Sequence, residues 1–152
     1  MLNRLEELQK TGISQFLQSS PWAYPSIETL HILSLGILVG SAALWDLRLL
    51  GFCKIVEIQP LEKLALNVAR VAFGSAVFTG LLLFTTNPVE MFLNPSFRLK
   101  ILLLAVNLLN IAVFHLSHQS GKLYGHQAKL HAAISLVLWA SIIAAGRWIA
   151  YV

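Results

Sequence analysis

The feature that most constrains this chain is a series of long stretches without any charged residue. Asp, Glu, Lys and Arg are absent from four windows of 17, 19, 21 and 17 residues, which are 29–45, 71–89, 101–121 and 130–146. A helix that crosses a membrane needs about 20 mostly apolar residues, within a range of roughly 17 to 25. Each window is therefore long enough to span a bilayer.

The composition supports the same interpretation, because 57% of the residues are hydrophobic and only 12% are charged. A soluble fold of this size has too little polar surface to cover so much apolar surface, which argues against a soluble enzyme. A bilayer accepts only helices and closed barrels, and the windows lack strand-like alternation. We therefore predict an all-α fold, a four-helix transmembrane bundle. Within a single domain of residues 21–152, the predicted spans are about 27–49, 68–87, 98–118 and 128–150.

The first 20 residues have a different pattern. Its apolar residues recur mostly at spacings of three to five, and charged residues lie between them. The apolar residues are Leu2, Leu5, Leu8, Ile13, Phe16 and Leu17. This spacing is typical of an amphipathic helix on a membrane surface, so residues 1–20 are predicted to form an interfacial segment. The segment lacks the continuous apolar core and the small-residue cleavage site of a secretory signal peptide.

The distribution of positive charge gives a weak prediction of orientation. An even number of spans places both termini on one side of the membrane. The connections after the first and third spans carry six Lys and Arg residues, against five on the opposite side. Since cytoplasmic loops carry the excess of positive charge, both termini are expected outside the cytoplasm. The sequence has no cluster of basic residues of the kind that binds nucleic acid.

Two histidines are candidate ligands, since a polar group inside a membrane span needs a partner or a role. His115 lies near the end of the third predicted span and His131 near the start of the fourth. The short connection predicts antiparallel neighbours, which places the two imidazoles at similar depth. Two imidazoles at matched depth beside an apolar slot are what haem b ligation needs. We therefore predict a membrane haem b protein in electron transfer or redox sensing.

A second candidate site lies towards the other membrane face. His31, Lys100 and Arg147 are all expected at one level there. His31 could ligate a haem or a metal, as could His115 and His131, while Lys100 and Arg147 could pair with haem carboxylates. The alternative is that the two cations only extend towards lipid headgroups and that the histidines are ordinary interfacial residues.

Two further functions remain open. The histidines could serve a transition-metal binding or transport protein, although no carboxylate or methionine-rich ligand set accompanies them in the sequence. The single cysteine, Cys53, can form neither an internal disulfide nor a C-x-x-C-H haem attachment site. Alternatively, Gly36 and Gly40 form a G-x-x-x-G pair that lets helices approach closely, as in a non-catalytic self-associating scaffold. A homo-oligomer is expected in every case, because so few helices enclose little volume.

Several short motifs resemble those of a family of small, uncharacterised bacterial four-helix membrane proteins. They are Glu28-x-x-His31, Asp46-Leu-Arg48-Leu-Leu-Gly51, Asn94-x-x-Phe97-Arg-x-Lys100 and Gly146-Arg147. The resemblance runs over nearly the whole span region and implies a bacterial inner-membrane protein. It brings no established activity, but it raises His31, Lys100 and Arg147 as site candidates. A looser similarity, to four-helix b-type cytochrome and copper-resistance membrane domains, rests on architecture and histidine placement alone.

Overall fold

The computed structural model of the chain describes residues 2–52, 55, 57–119 and 125–151, with His118 and Gln119 as backbone only. Cys53 lies outside the described residues. The elements in the described part are α1 (Leu2–Gln9), α2 (Gly12–Ser19), α3 (Ala23–Leu50), α4 (Ile58–Thr86), α5 (Pro88–Leu93), α6 (Pro95–Gln119), α7 (His126–Trp148) and a 3-10 turn (Ile149–Tyr151).

Four of these helices, α3, α4, α6 and α7, are long and apolar enough to cross a membrane. Across the described ranges no residue lies in a strand. The prediction of an all-α four-helix transmembrane bundle is therefore confirmed, and the architecture is that of a multi-pass membrane protein. Many large apolar side chains on the spans point outwards, among them Ile32, Val71 and Leu109, which are 61%, 76% and 65% exposed. Such a surface suits contact with lipid.

The spanning helices extend beyond the charge-free windows, because a charged residue ends an apolar window without ending a helix. The helix α4 begins at Ile58 rather than near residue 68. The helix α3 ends at Leu50 and is capped by Gly51, whose φ of 102° lies in the left-handed region that favours glycine. The N–H of Gly51 bonds to the carbonyl oxygen of Arg48 and so closes the last turn of α3.

The four spans meet in a small apolar core at the middle of the bundle. Leu38 of α3, Ala72 of α4, and Trp139 and Ile142 of α7 are buried together, and Leu103 of α6 packs against them. The helix α3 contacts both α4 and α7, and α6 packs on α7. Each span therefore contributes to one shared interior.

Polar side chains align α3 with α4. His31 Nδ1 lies 2.9 Å from Thr79 Oγ1, and Ser34 Oγ lies 2.8 Å from Ser75 Oγ. In a bilayer interior an unpaired polar group finds no water to replace its partner. These two contacts therefore favour a single antiparallel register between the helices.

The N-terminal segment consists of two short helices rather than one, with a break before Gly12. Ser14 Oγ donates to the carbonyl of Thr85 at 2.8 Å, and Gln18 Nε2 donates to that of Thr86 at 2.9 Å. The last carbonyls of a helix lack partners within the helix. The helix α2 thus caps the end of α4, and its location on a membrane surface stays a prediction.

Candidate functional site

A cavity of about 380 Å³ lies between the four spans, in the half of the bundle where α3 and α6 end and α4 and α7 begin. Most of its wall is apolar and includes the rings of Trp45, Phe73 and Phe114. The polar and charged side chains on the wall are Ser41, Asp46, Arg70, Asn110, His115, His131 and Ser135. Because they come from all four spans, this site exists only in the assembled bundle.

His131 is held in a defined orientation by Asn110 of the neighbouring helix. Its Nδ1 lies 2.7 Å from Asn110 Oδ1, and the Asn110 amide nitrogen donates to the His131 carbonyl at 3.2 Å. An amide oxygen only accepts hydrogen bonds, so His131 Nδ1 donates to Asn110, and in the neutral imidazole Nε2 carries the lone pair. An imidazole oriented by a second group in this way is typical of metal-binding histidines.

His115 lies on the wall of the same cavity. Its Nδ1 is buried and has no hydrogen-bond partner among the described residues. Phe114 is buried next to it and approaches both imidazoles edge-on, with ring centroids 6.0 Å from those of His115 and of His131. The structure thus brings the two histidines to one cavity on neighbouring helices, and their role as ligands stays a prediction.

Sequence reasoning missed two polar groups of this cavity, Asp46 and Trp139. Asp46 is only 6% exposed, its Oδ2 has no partner in the described part of the chain, and its carboxyl interacts with the side chain of Ser135. Trp139 is buried with its indole Nε1 also lacking a partner there. In the sequence, Asp46 ends a charge-free window and opens the Asp46-Leu-Arg48-Leu-Leu-Gly51 motif, but neither feature assigns it to a site. Its burial depends on α7, which the sequence alone does not place.

His31 lies in the opposite half of the bundle, where its Nδ1 is hydrogen-bonded to Thr79. Thr79, which contacts His31 Nδ1, donates its own hydroxyl to the Ser75 carbonyl at 2.7 Å. The imidazole packs on Gly80, where an added Cβ would lie 3.0 Å from His31 Cε1. The glycine therefore provides the space for the ring, and the arrangement is that of a packed interhelical contact.

Lys100 and Arg147 differ in their surroundings. The Lys100 side chain reaches α7 and lies on Gly146, whose added Cβ would be 3.6 Å from Nζ, and its charge acts on His31. Arg147 is exposed and interacts with Tyr151, by an Nη2–hydroxyl hydrogen bond of 2.6 Å and by stacking 4.9 Å from the ring centroid. Lys100 thus faces the interior near His31, whereas Arg147 lies on the surface, as expected of an interfacial anchor.

The fold and its interior cavity define a multi-pass membrane protein with a four-helix core. Residues 23–152 match the model of a family of unknown function, DUF6644, and the chain belongs to this family. No curated protein and no solved structure matches the chain. The looser similarity to b-type cytochrome and copper-resistance domains stays a prediction.

Proposed function

We propose that the protein is an integral membrane haem b protein that acts in electron transfer or redox sensing, with His115 and His131 as the imidazoles of its site. One observation carries the proposal: both histidines line the same largely apolar cavity, and in the described part of the chain His115 Nδ1 has no hydrogen-bond partner while the bond from His131 to Asn110 uses only Nδ1. Ligand sites are commonly concave and apolar, with a few polar groups that converge on them.

The residues of the cavity fit the requirements of a haem. Its volume of about 380 Å³ falls within the usual range of small-molecule and cofactor sites. Arg70 on the wall can pair with a propionate, a role for which the sequence suggested Lys100 and Arg147. The bound iron would supply the one-electron chemistry. The protein would supply the ligands, the orientation of His131 through Asn110, and an apolar surrounding.

A second haem or metal site at His31 has less support. Among the described residues, His31 is not on the wall of the cavity, and Gly80 confines its ring. Lys100 stays a candidate carboxylate partner because it faces the interior near His31. Arg147 has Tyr151 as its partner, which suits an anchoring role.

The transition-metal alternative also has less support. Within the ranges that the structure covers, no three His, Cys, Asp or Glu side chains come together in a group that could hold a metal ion. Transition-metal sites built from protein side chains commonly use three or four ligands, whereas a haem brings four of its own and needs only one or two imidazoles.

The visible spectrum of the protein, purified in mild detergent, tests the proposed function. We expect a Soret band and, after reduction by dithionite, a sharpened α band. His115→Ala should weaken both bands, whereas His126→Ala should leave them unchanged, because His126 is an exposed residue at the start of α7. A colourless protein, purified from haem-replete cells, would refute the proposal, and full occupancy by another metal would favour the transition-metal alternative.

The proposed homo-oligomer and location have separate support. Gly36 and Gly40 face open space, since an added Cβ at either position would meet no atom within 4 Å. The G-x-x-x-G face is thus available to a second copy of the chain. We place the protein in the bacterial inner membrane with both termini in the periplasm, on the strength of the charge distribution and the sequence resemblance. Cross-linking in native membranes and labelling of terminal cysteine tags test these two points.

A further inference from the structure

Three buried polar side chains from three different spans lie at one level of the bundle. The contacts Asn94–Ile149 and Asn110–His131 fix the antiparallel register of α6 and α7. Asn107 precedes Asn110 by three residues in α6, and Ser135 follows His131 by four residues in α7. Because the two helices are antiparallel and Asn110 contacts His131, Asn107 and Ser135 lie at about the same level. Ser135 in turn interacts with the carboxyl of Asp46 on α3.

We call these side chains the polar layer; they are Asp46, Asn107 and Ser135. They are 6%, 1% and 5% exposed. Asp46 Oδ2 and both polar atoms of the Asn107 amide have no hydrogen-bond partner among the described residues. Buried polar atoms are nearly always paired, and leaving one unpaired costs roughly 1–3 kcal/mol. Several such atoms at one level therefore point to an occupant that binds them.

The chemistry of the polar layer identifies the class of that occupant. A carboxylate, an amide carbonyl and a hydroxyl are oxygen ligands, which suit a hard cation. The layer holds a single formal charge, and Asp46 is the only aspartate in the chain. A monovalent cation neutralises that charge, whereas a divalent cation would leave a buried net charge, which is costly in a low-dielectric interior. The nearby cation Arg70 donates its Nη1 to Asn67 at 3.0 Å.

We propose that the polar layer binds one monovalent metal cation, with Na⁺ as the ion that fits its oxygen ligands. The Asp46 carboxylate supplies the charge, Asn107 Oδ1 and Ser135 Oγ supply neutral oxygens, and the Asn107 amide nitrogen donates to a coordinating water. Asp46 and Ser135 also line the cavity, so the site adjoins it. This inference goes beyond haem binding and does not depend on it.

Thermal unfolding in detergent tests the site through linkage, because an ion that binds only the folded state raises the unfolding temperature. Na⁺ is added at constant ionic strength in exchange for N-methylglucamine. We expect a saturable rise of about 4 °C in the wild type and binding of one ²²Na⁺ per chain. The rise should disappear in Asp46→Asn, which keeps the shape of the side chain. It should persist in Glu57→Gln, which removes an exposed carboxylate at the start of α4.

Further variants keep the test decisive if Asp46→Asn does not fold. Ser135→Ala and Asn107→Leu retain the carboxylate and each lose one oxygen ligand, so the Na⁺ concentration at half effect should rise about tenfold. The proposal is overturned if Na⁺ has no effect beyond ionic strength, if only Mg²⁺ or Ca²⁺ stabilises the protein, or if Ser135→Ala and Asn107→Leu respond to Na⁺ as the wild type does. A protein that binds Na⁺ but shows no haem spectrum would refute the proposed function and support this site.

Discussion

The two halves of the bundle differ in whether their buried polar groups have hydrogen-bond partners among the described residues. In the half that contains His31, the polar side chains of α3 and α4 are paired, as in the contacts His31–Thr79 and Ser34–Ser75. In the cavity half, the groups without partners in the described residues include the Asp46 carboxylate, the Asn107 amide and a His115 ring nitrogen. Paired groups in a membrane interior hold helices together. Buried groups without partners are rare in proteins, and both of our proposals place a ligand at them.

The largest effects on stability are expected when Asn is replaced by Leu at each of two positions of α6. Asn110→Leu removes the two contacts that join Asn110 to His131 and should lower the free energy of unfolding by about 2 kcal/mol. Asn107→Leu replaces an amide without partners in the described residues and should raise the free energy of unfolding by about 1 kcal/mol in Na⁺-free buffer. Titration with SDS in mixed micelles measures both. Effects of the same sign would contradict the distinction between the paired and unpaired groups.

A smaller effect is expected from the contact between His31 and Thr79. Thr79→Val keeps the shape of a residue that is 1% exposed, but removes the hydroxyl that contacts His31. The free energy of unfolding should fall by about 1 kcal/mol. Thr29→Val is the matched control, because the exposed Thr29 hydroxyl bonds only to the Pro25 carbonyl of its own helix. Equal effects in the two variants would show that the interhelical contact adds no stability.

The smallest effects are expected at two glycines of the spans. Gly80→Ala places a Cβ against His31 and should lower the free energy of unfolding by about 0.5 kcal/mol, since the ring must shift while bonded to Thr79. Gly36→Ala meets open space and should be neutral or slightly stabilising to the single chain. If Gly36 lies in an interface between copies, the same change should weaken cross-linking in membranes. A Gly36→Ala chain that cross-links like the wild type would exclude that interface.

Much of the fold could be predicted from the sequence, because a spanning helix is marked by a local property, a long stretch without charged residues. The charge-free windows locate all four spanning helices. The helix α4 begins earlier than predicted because charge does not end a helix outside the bilayer. The shared location of His115 and His131 on one cavity agrees with the depth estimated from helix rise and a short connection.

The rest of the candidate site depends on which helix faces which, and no local pattern records that. His31 and its partner Thr79 are 48 residues apart in the chain. The polar layer needs both the α6–α7 register and the approach of α3 to α7. From the sequence alone, Asp46 is the end of a charge-free window and the start of a short motif, and Asn107 is one of several polar residues in the third span. Their burial without partners emerges only from the packed bundle.

The haem content of two single variants, purified in parallel with the wild type, tests the functional distinction between the two halves most directly. The measurement is the reduced pyridine haemochrome absorbance per chain. We expect His131→Ala to lose most of the haem and His31→Ala to keep it, because His131 lies on the wall of the cavity whereas His31 packs against Thr79 and Gly80 in the other half. Full haem content in His131→Ala together with loss in His31→Ala would contradict this and move the site to the other half.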